Sequence, residues 1–177
     1  MSGTSNKKFV FLVAIAVAIC MMSSVSSNVH SGTEDNPCTN SKTVLNTLLN
    51  QIKQEYINNL LPYYKALTPK PVDVFDDSYT YSIQSTDYNC YTIYETLNFL
   101  LGDVFPRATT DATVRLSLAK IATSSQQASM LMNLCKKELA CGPAPFDMIK
   151  LYHDTKEYGA DNIMGTLDTP FQYFVIV

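Results

Sequence analysis

Of the five cysteines in the chain, four, Cys38, Cys90, Cys135 and Cys141, lie beyond an N-terminal segment that reads as removable. No other feature narrows the possible folds as far. Lys7 and Lys8 precede an unbroken apolar run over residues 9–22, which gives way to Ser23, Ser24, Ser26 and Ser27. The run is shorter than the roughly 20 residues a bilayer core requires. A basic start, an apolar stretch and small residues behind it form the pattern of a secretory signal peptide over residues 1–27. Cleavage there discards Cys20 and leaves an even number of thiols in an oxidising compartment, where pairing is the default. A zinc knuckle needs close ligand pairs at both ends, and this spacing lacks them. Four cysteines permit three pairings, and the sequence alone does not choose among them.

Residues 28–177 suffice for one domain with a real core and are too few for two. Without Lys7 and Lys8 this stretch is more acidic than the formal charge of -3 on the full chain. Its two arginines, Arg107 and Arg115, form no patch, which argues against a nucleic-acid partner. No run after residue 27 is apolar enough to span a membrane, and the tail from Phe171 to Val177 lacks the spacer and length of a lipid-anchor signal. The expectation is a secreted, extracellular chain that does not insert in the membrane. No Asn-x-Ser/Thr acceptor is present, so conventional N-glycosylation is not expected.

Hydrophobic spacing then predicts helices. Leu45, Leu48, Ile52 and Tyr56 recur at three and four residues over 41–61, with Ser41 as the N-cap and Pro62 as the stop. Residues 62–88, rich in Pro, Asp, Ser and Tyr, read as a long connection with at most one short helix or extended stretch. Asp87 is placed to cap a second helix, striped by Cys90, Ile93, Tyr94, Leu97, Leu100, Leu101 and Val104 and ended by Pro106. A third, expected to be the longest, starts near Thr110 and Asp111. Its Val114, Leu118, Ile121, Ser125, Ala128 and Cys135 alternate four and three apart, like a bundle seam. After the rigid Gly142-Pro143-Ala144-Pro145 connection, a short helix starts near Asp147 and stops at Gly159. A last one begins near Asp161, with a kink expected at Pro170. Five or six helices and no strong strand pattern give an all-α bundle.

The inventory for catalysis is thin. The histidines are His30, in the N-terminal tail, and His153, whose neighbour Asp154 points elsewhere on a helix and reads as a solvated surface group. Asp76 and Asp77 sit in a turn-rich region, where carboxylates cap backbone. No phosphate loop, nucleophile elbow or zinc-protease motif occurs, and no basic cluster activates a thiol. No enzyme, metal or cofactor is expected.

From Cys90 onward the residues resemble the interleukin-10 family of cytokines. Cys-Tyr-Thr-Ile-Tyr-Glu-Thr-Leu-Asn-Phe-Leu-Leu-Gly-Asp-Val-Phe-Pro, residues 90–106, is similar to the family helix that starts at its second cysteine and ends in a Val-Met-Pro or Val-Phe-Pro turn. Residues 134–141, Leu-Cys-Lys-Lys-Glu-Leu-Ala-Cys, resemble the pair of cysteines that closes its fourth helix. Met164-Gly165-Thr166-Leu167-Asp168-Thr169 resembles a stretch of its last helix. The divergence elsewhere would suit a virus-encoded homologue.

The resemblance implies a six-helix cytokine bundle with Cys38 paired to Cys135 and Cys90 to Cys141. It also implies an intertwined homodimer in which the two C-terminal helices enter the partner's bundle, and receptor chains as partners, with Janus kinases and STAT factors downstream and immune modulation as the outcome. The surface implied to meet the receptor comprises the first helix, the loop after it and the last helix. There Lys53, Tyr56 and Asp168 are the expected contacts, among a cluster formed by Tyr56, Tyr63, Tyr64, Tyr79, Tyr81 and Tyr88. Leu49, Tyr56, Gly165, Thr166 and Val175 depart from the family's polar residues, leaving Lys53 as the one nearby cation on the first helix. Two other classes fit the composition: a helical carrier of small apolar ligands, suggested by the Met and Tyr content, and an enzyme inhibitor using residues 62–88.

Overall fold

A computed structural model describes residues 36–142 and 148–177 of the chain. The expected signal peptide, His30, the connection beyond Gly142 and the expected helix start at Asp147 lie outside the described residues. Among the described residues there are six helical rods and no strand, as the periodicities predict.

The first rod, α1, is Ser41–Glu55, a π-helical turn Tyr56–Leu60, and Leu61–Leu67. It runs past the expected stop at Pro62, and the π turn explains how. The Leu61 N–H reaches back to Tyr56 O, and a new α-helical segment starts with Pro62 in its first turn, where a missing N–H costs nothing. The same device precedes Pro106. The third rod, α3, is Asn89–Phe99 followed by the π turn Leu100–Val104, closed by Phe105 N–H donating to Leu100 O at 2.8 Å. Here the helix then ends.

Between these rods the chain is extended over residues 71–76 and then forms α2, Asp77–Gln84, so the expected connection holds one short helix. The Asp76 carboxylate caps it, accepting from Ser78 N–H and Tyr79 N–H, each at 3.1 Å. Asp87 does not cap α3, whose N-cap is Tyr88 with no side-chain bond. The fourth rod, α4, is Arg115–Leu134, entered through a turn in which Asp111 accepts from Thr113 N–H and Val114 N–H. The 20 residues of α4 make it the longest uninterrupted α-helix among those described, as expected, although the rod α1 with its π turn is longer. Helix α5, Met148–Tyr158, ends at Gly159. That residue has φ +85°, a conformation side chains resist. Helix α6 comprises Ala160–Thr166 and Asp168–Gln172. Its break falls at Leu167, ahead of the expected kink at Pro170, because Pro170 is accepted in the first turn of the new segment.

Packing follows from one stripe. Leu45, Leu49, Ile52, Tyr56, Leu60 and Tyr64 of α1 are fully buried and meet the α4 seam, in which Val114, Leu118, Ile121, Ser125, Ala128 and Cys135 are all buried. Each fully buried Leu or Ile there contributes about 2 kcal/mol. Helix α3 packs on α4 and α2 on α3, while α6 lies against the C-terminal part of α1 and the π turn of α3, with α5 beside it. Leu151, Ile163, Met164, Leu167, Phe171, Phe174 and Ile176 are thereby buried within a single chain.

Two disulfides join Cys38 to Cys135, with Cα atoms 5.4 Å apart, and Cys90 to Cys141, at 5.0 Å. They fasten the end of α4 to the starts of α1 and α3. In the chain-entropy view, cross-links over 97 and 51 residues contribute on the order of 4 kcal/mol each.

Candidate functional site

The first helix, the segment after it and the last helix do meet, and polar clamps hold them. Asn162 of α6 pairs with Val72 as a strand neighbour would: Val72 N–H donates to Asn162 Oδ1 at 2.7 Å and Asn162 Nδ2 donates to Val72 O at 2.9 Å. Asn46 of α1 does the same for the tail, accepting from Ile176 N–H at 2.7 Å and donating to Ile176 O at 3.2 Å. Both satisfy backbone groups that no sheet serves. Gly165 lets α6 approach the loop, since a methyl group there would lie 3.3 Å from Pro71 Cβ.

Tyr56 is the pin of this junction rather than a contact for a partner. It is fully buried, its hydroxyl donates to Met164 O at 2.6 Å, and its ring meets Phe171 edge-on at 5.0 Å. Burial, and secondarily the charge of Asp168, push its phenol well above the ordinary value. The expected receptor contact at Tyr56 is therefore corrected to a structural role. Leu49, Gly165 and Thr166 are also buried, whereas Val175 is exposed. Within the tyrosine cluster, Tyr64 and Tyr79 are core residues, Tyr63 and Tyr88 are partly covered and Tyr81 is exposed. The signal was available: Tyr56 falls on the Leu45–Leu49–Ile52 stripe.

Lys53 and Asp168 do reach the surface of the junction. Asp168 Oδ2 lies 2.9 Å from Lys65 Nζ, with the two side chains about one-third and one-half exposed, so its charge is balanced within the chain. Lys53 Nζ is 3.5 Å from the neutral carbonyl of Gln172 and keeps its charge uncompensated by that bond. Nothing in the sequence pattern pointed to Lys65 or to the two asparagine clamps, because such pairings depend on how α6 docks.

Elsewhere, His153 Nδ1 lies 4.0 Å from Asp154 Oδ1 and 3.8 Å from Glu157 Oε2. Contrary to expectation, Asp154 is not solvated: it is buried and bound to Lys150 at 2.7 Å. The three could offer ligands to a cation, but the Lys150 ammonium already holds the carboxylate. A cavity of about 520 Å³ beside Cys38 at the end of the bundle has a mixed lining, with Asn36, Lys42 and Glu138 polar and Leu139, Ala140 and Ile176 apolar. No helix among the described residues is long and apolar enough to cross a membrane. Family models, curated proteins and solved structures give no match to the chain.

Proposed function

We propose that the chain is a secreted cytokine of the interleukin-10 type, which binds and clusters cell-surface receptor chains and thereby activates Janus kinases and STAT factors. The observation that carries this reading is the disulfide pairing. Spacing leaves three pairings open, and the first-to-third, second-to-fourth pattern present here is the one the resemblance implies. The meeting of α1, residues 68–76 and α6 in one surface, with Lys65 exposed and Lys53 and Asp168 partly exposed on it, adds support. Such a protein acts by bringing others together and performs no reaction itself.

The assembly proposed with it is a homodimer in which α5 and α6 exchange between chains. Every contact that closes them on α1 and α3 within one chain is available unchanged across two, and the prolines of the 142–145 connection favour an extended path. A twofold pair of surfaces would then gather two sets of receptors. For the carrier reading, the cavity beside Cys38 offers a mixed lining, polar at Asn36, Lys42 and Glu138 and apolar at Leu139, Ala140 and Ile176, where small apolar ligands call for a predominantly apolar one. Binding of the oxidised protein to cells bearing interleukin-10-type receptors, read together with STAT phosphorylation, tests the proposal; absence of both rejects it.

A further inference from the structure

Thr68 stands at a place unlike that of any other hydroxyl here. It caps the C-terminal end of α1, with φ -128° and ψ 80°. The chain leaves it as Thr68-Pro69-Lys70-Pro71, a run with no helical residue. Its N–H is spent on Tyr64 O at 2.8 Å, but its hydroxyl bonds to no described residue, and Pro69 and Lys70 after it are exposed. Proline fixes φ near -65° and biases the residue before it towards extended backbone. Thr68, Pro69 and Lys70 are bends outside any helix, with Thr68 half-buried, and the segment is held at its far end by the Asn162 clamp on Val72.

We propose that Thr68 is an O-glycosylation acceptor. A glycosyltransferase must lay its acceptor as an extended strand in a groove, and a helical or bonded hydroxyl has to be unwound or freed first. Pro-flanked strands avoid that ordering cost and suit aromatic-lined grooves. Among the described residues Thr86 and Thr110 also lie outside helices, but neither has a proline beside it, and other hydroxyls are helical or bonded. Thr169 also precedes a proline, but it lies in the helix Asp168–Gln172 and Pro170 is buried. The Thr109 hydroxyl is taken by Asp161 at 2.6 Å, the Thr113 hydroxyl by Asp111 at 2.5 Å and the Thr39 hydroxyl by Asn36 O at 2.9 Å. The co-reactant is a uridine-diphosphate N-acetylhexosamine. Thr68 Oγ1 bonds to its anomeric carbon, the bond from that carbon to the diphosphate oxygen breaks, uridine diphosphate leaves with the electron pair, and the hydroxyl proton passes to solvent. Nothing is oxidised or reduced. The sugar would stand one helical turn from Lys65, at the rim of the surface assigned above to the receptor.

The test uses the folded, disulfide-bonded chain 28–177, incubated with uridine-diphosphate N-acetylgalactosamine and a polypeptide N-acetylgalactosaminyltransferase, and so does not depend on the receptor reading. The expected result is one hexosamine per chain, mapped to Thr68 by fragmentation that preserves the sugar. Incorporation should be lost in Thr68→Val, reduced at least tenfold in a Pro69→Ala/Pro71→Ala variant, and unchanged in Thr169→Val. Failure to incorporate sugar, or incorporation that survives Thr68→Val, overturns the proposal. Secreted protein from animal cells provides the second arm: hexosamine at Thr68 supports it, and a bare or phosphorylated Thr68 on protein recovered from the medium counts against it.

Discussion

At the scale of single residues, the molecule turns on polar groups buried inside an apolar stripe. Tyr56 is the clearest: removing its hydroxyl leaves Met164 O without its 2.6 Å donor in a place water does not reach. Tyr56→Phe should lower stability by about 1–2 kcal/mol, measured as a shift of the urea midpoint at constant slope, with receptor binding unchanged. A variant as stable as the parent would remove Tyr56 as the pin of the junction. Its burial was legible from its place on the α1 stripe, yet tyrosine's frequency at interfaces argued the other way. Once the ring pairs with Phe171 at 5.0 Å, packing decides. The partner of Asp168 was not legible, because Lys65 is 103 positions away in sequence and no periodicity links them.

Among the elements, helix existence was readable and helix ends were less so. The α4 seam was plain in the four-three spacing. Proline, read as a stop, misplaced the end of α1, since a π turn can shift the register before Pro62. Caps set a pH dependence that can be measured. The bond from the Ser78 side chain, with help from Tyr79 N–H and Lys150, holds the Asp76 carboxyl below its ordinary value. A carboxylate whose folded pKa is depressed adds stability above its unfolded pKa of about 4 and loses it as pH falls through the lower folded value. Asp111 is depressed in the same direction by Thr113. Stability should therefore fall in acid below about pH 4, and Asp76→Ala should cost about 1 kcal/mol at neutral pH and flatten that acid limb. An acid limb identical in parent and Asp76→Ala would contradict the cap's role.

For the whole molecule, the four cysteines announced the frame, and the choice of pairing needed the fold, which sets Cys38 and Cys90 against the two ends of the 135–141 turn. Reduction should lower the urea midpoint sharply, since each bond removes on the order of 4 kcal/mol of chain entropy from the unfolded state; an unchanged midpoint would show that the helices hold without them. The proposed exchange of α5 and α6 predicts a dimer mass by light scattering at micromolar concentration, and a monomer mass would restrict the molecule to the closed chain. Both bear on how the surface of α1, residues 68–76 and α6 is presented.

The most direct measurement is binding of the oxidised chain 28–177 to cells with and without interleukin-10-type receptor chains, with STAT phosphorylation read in the same samples. Binding and phosphorylation should depend on the receptor. They should fall at least tenfold in Asp168→Lys, which sets a second cation beside Lys65 while changing stability by less than about 1 kcal/mol, as exposed ion pairs do. Equal binding to cells lacking the receptor, or no phosphorylation at saturating protein, would contradict the cytokine reading.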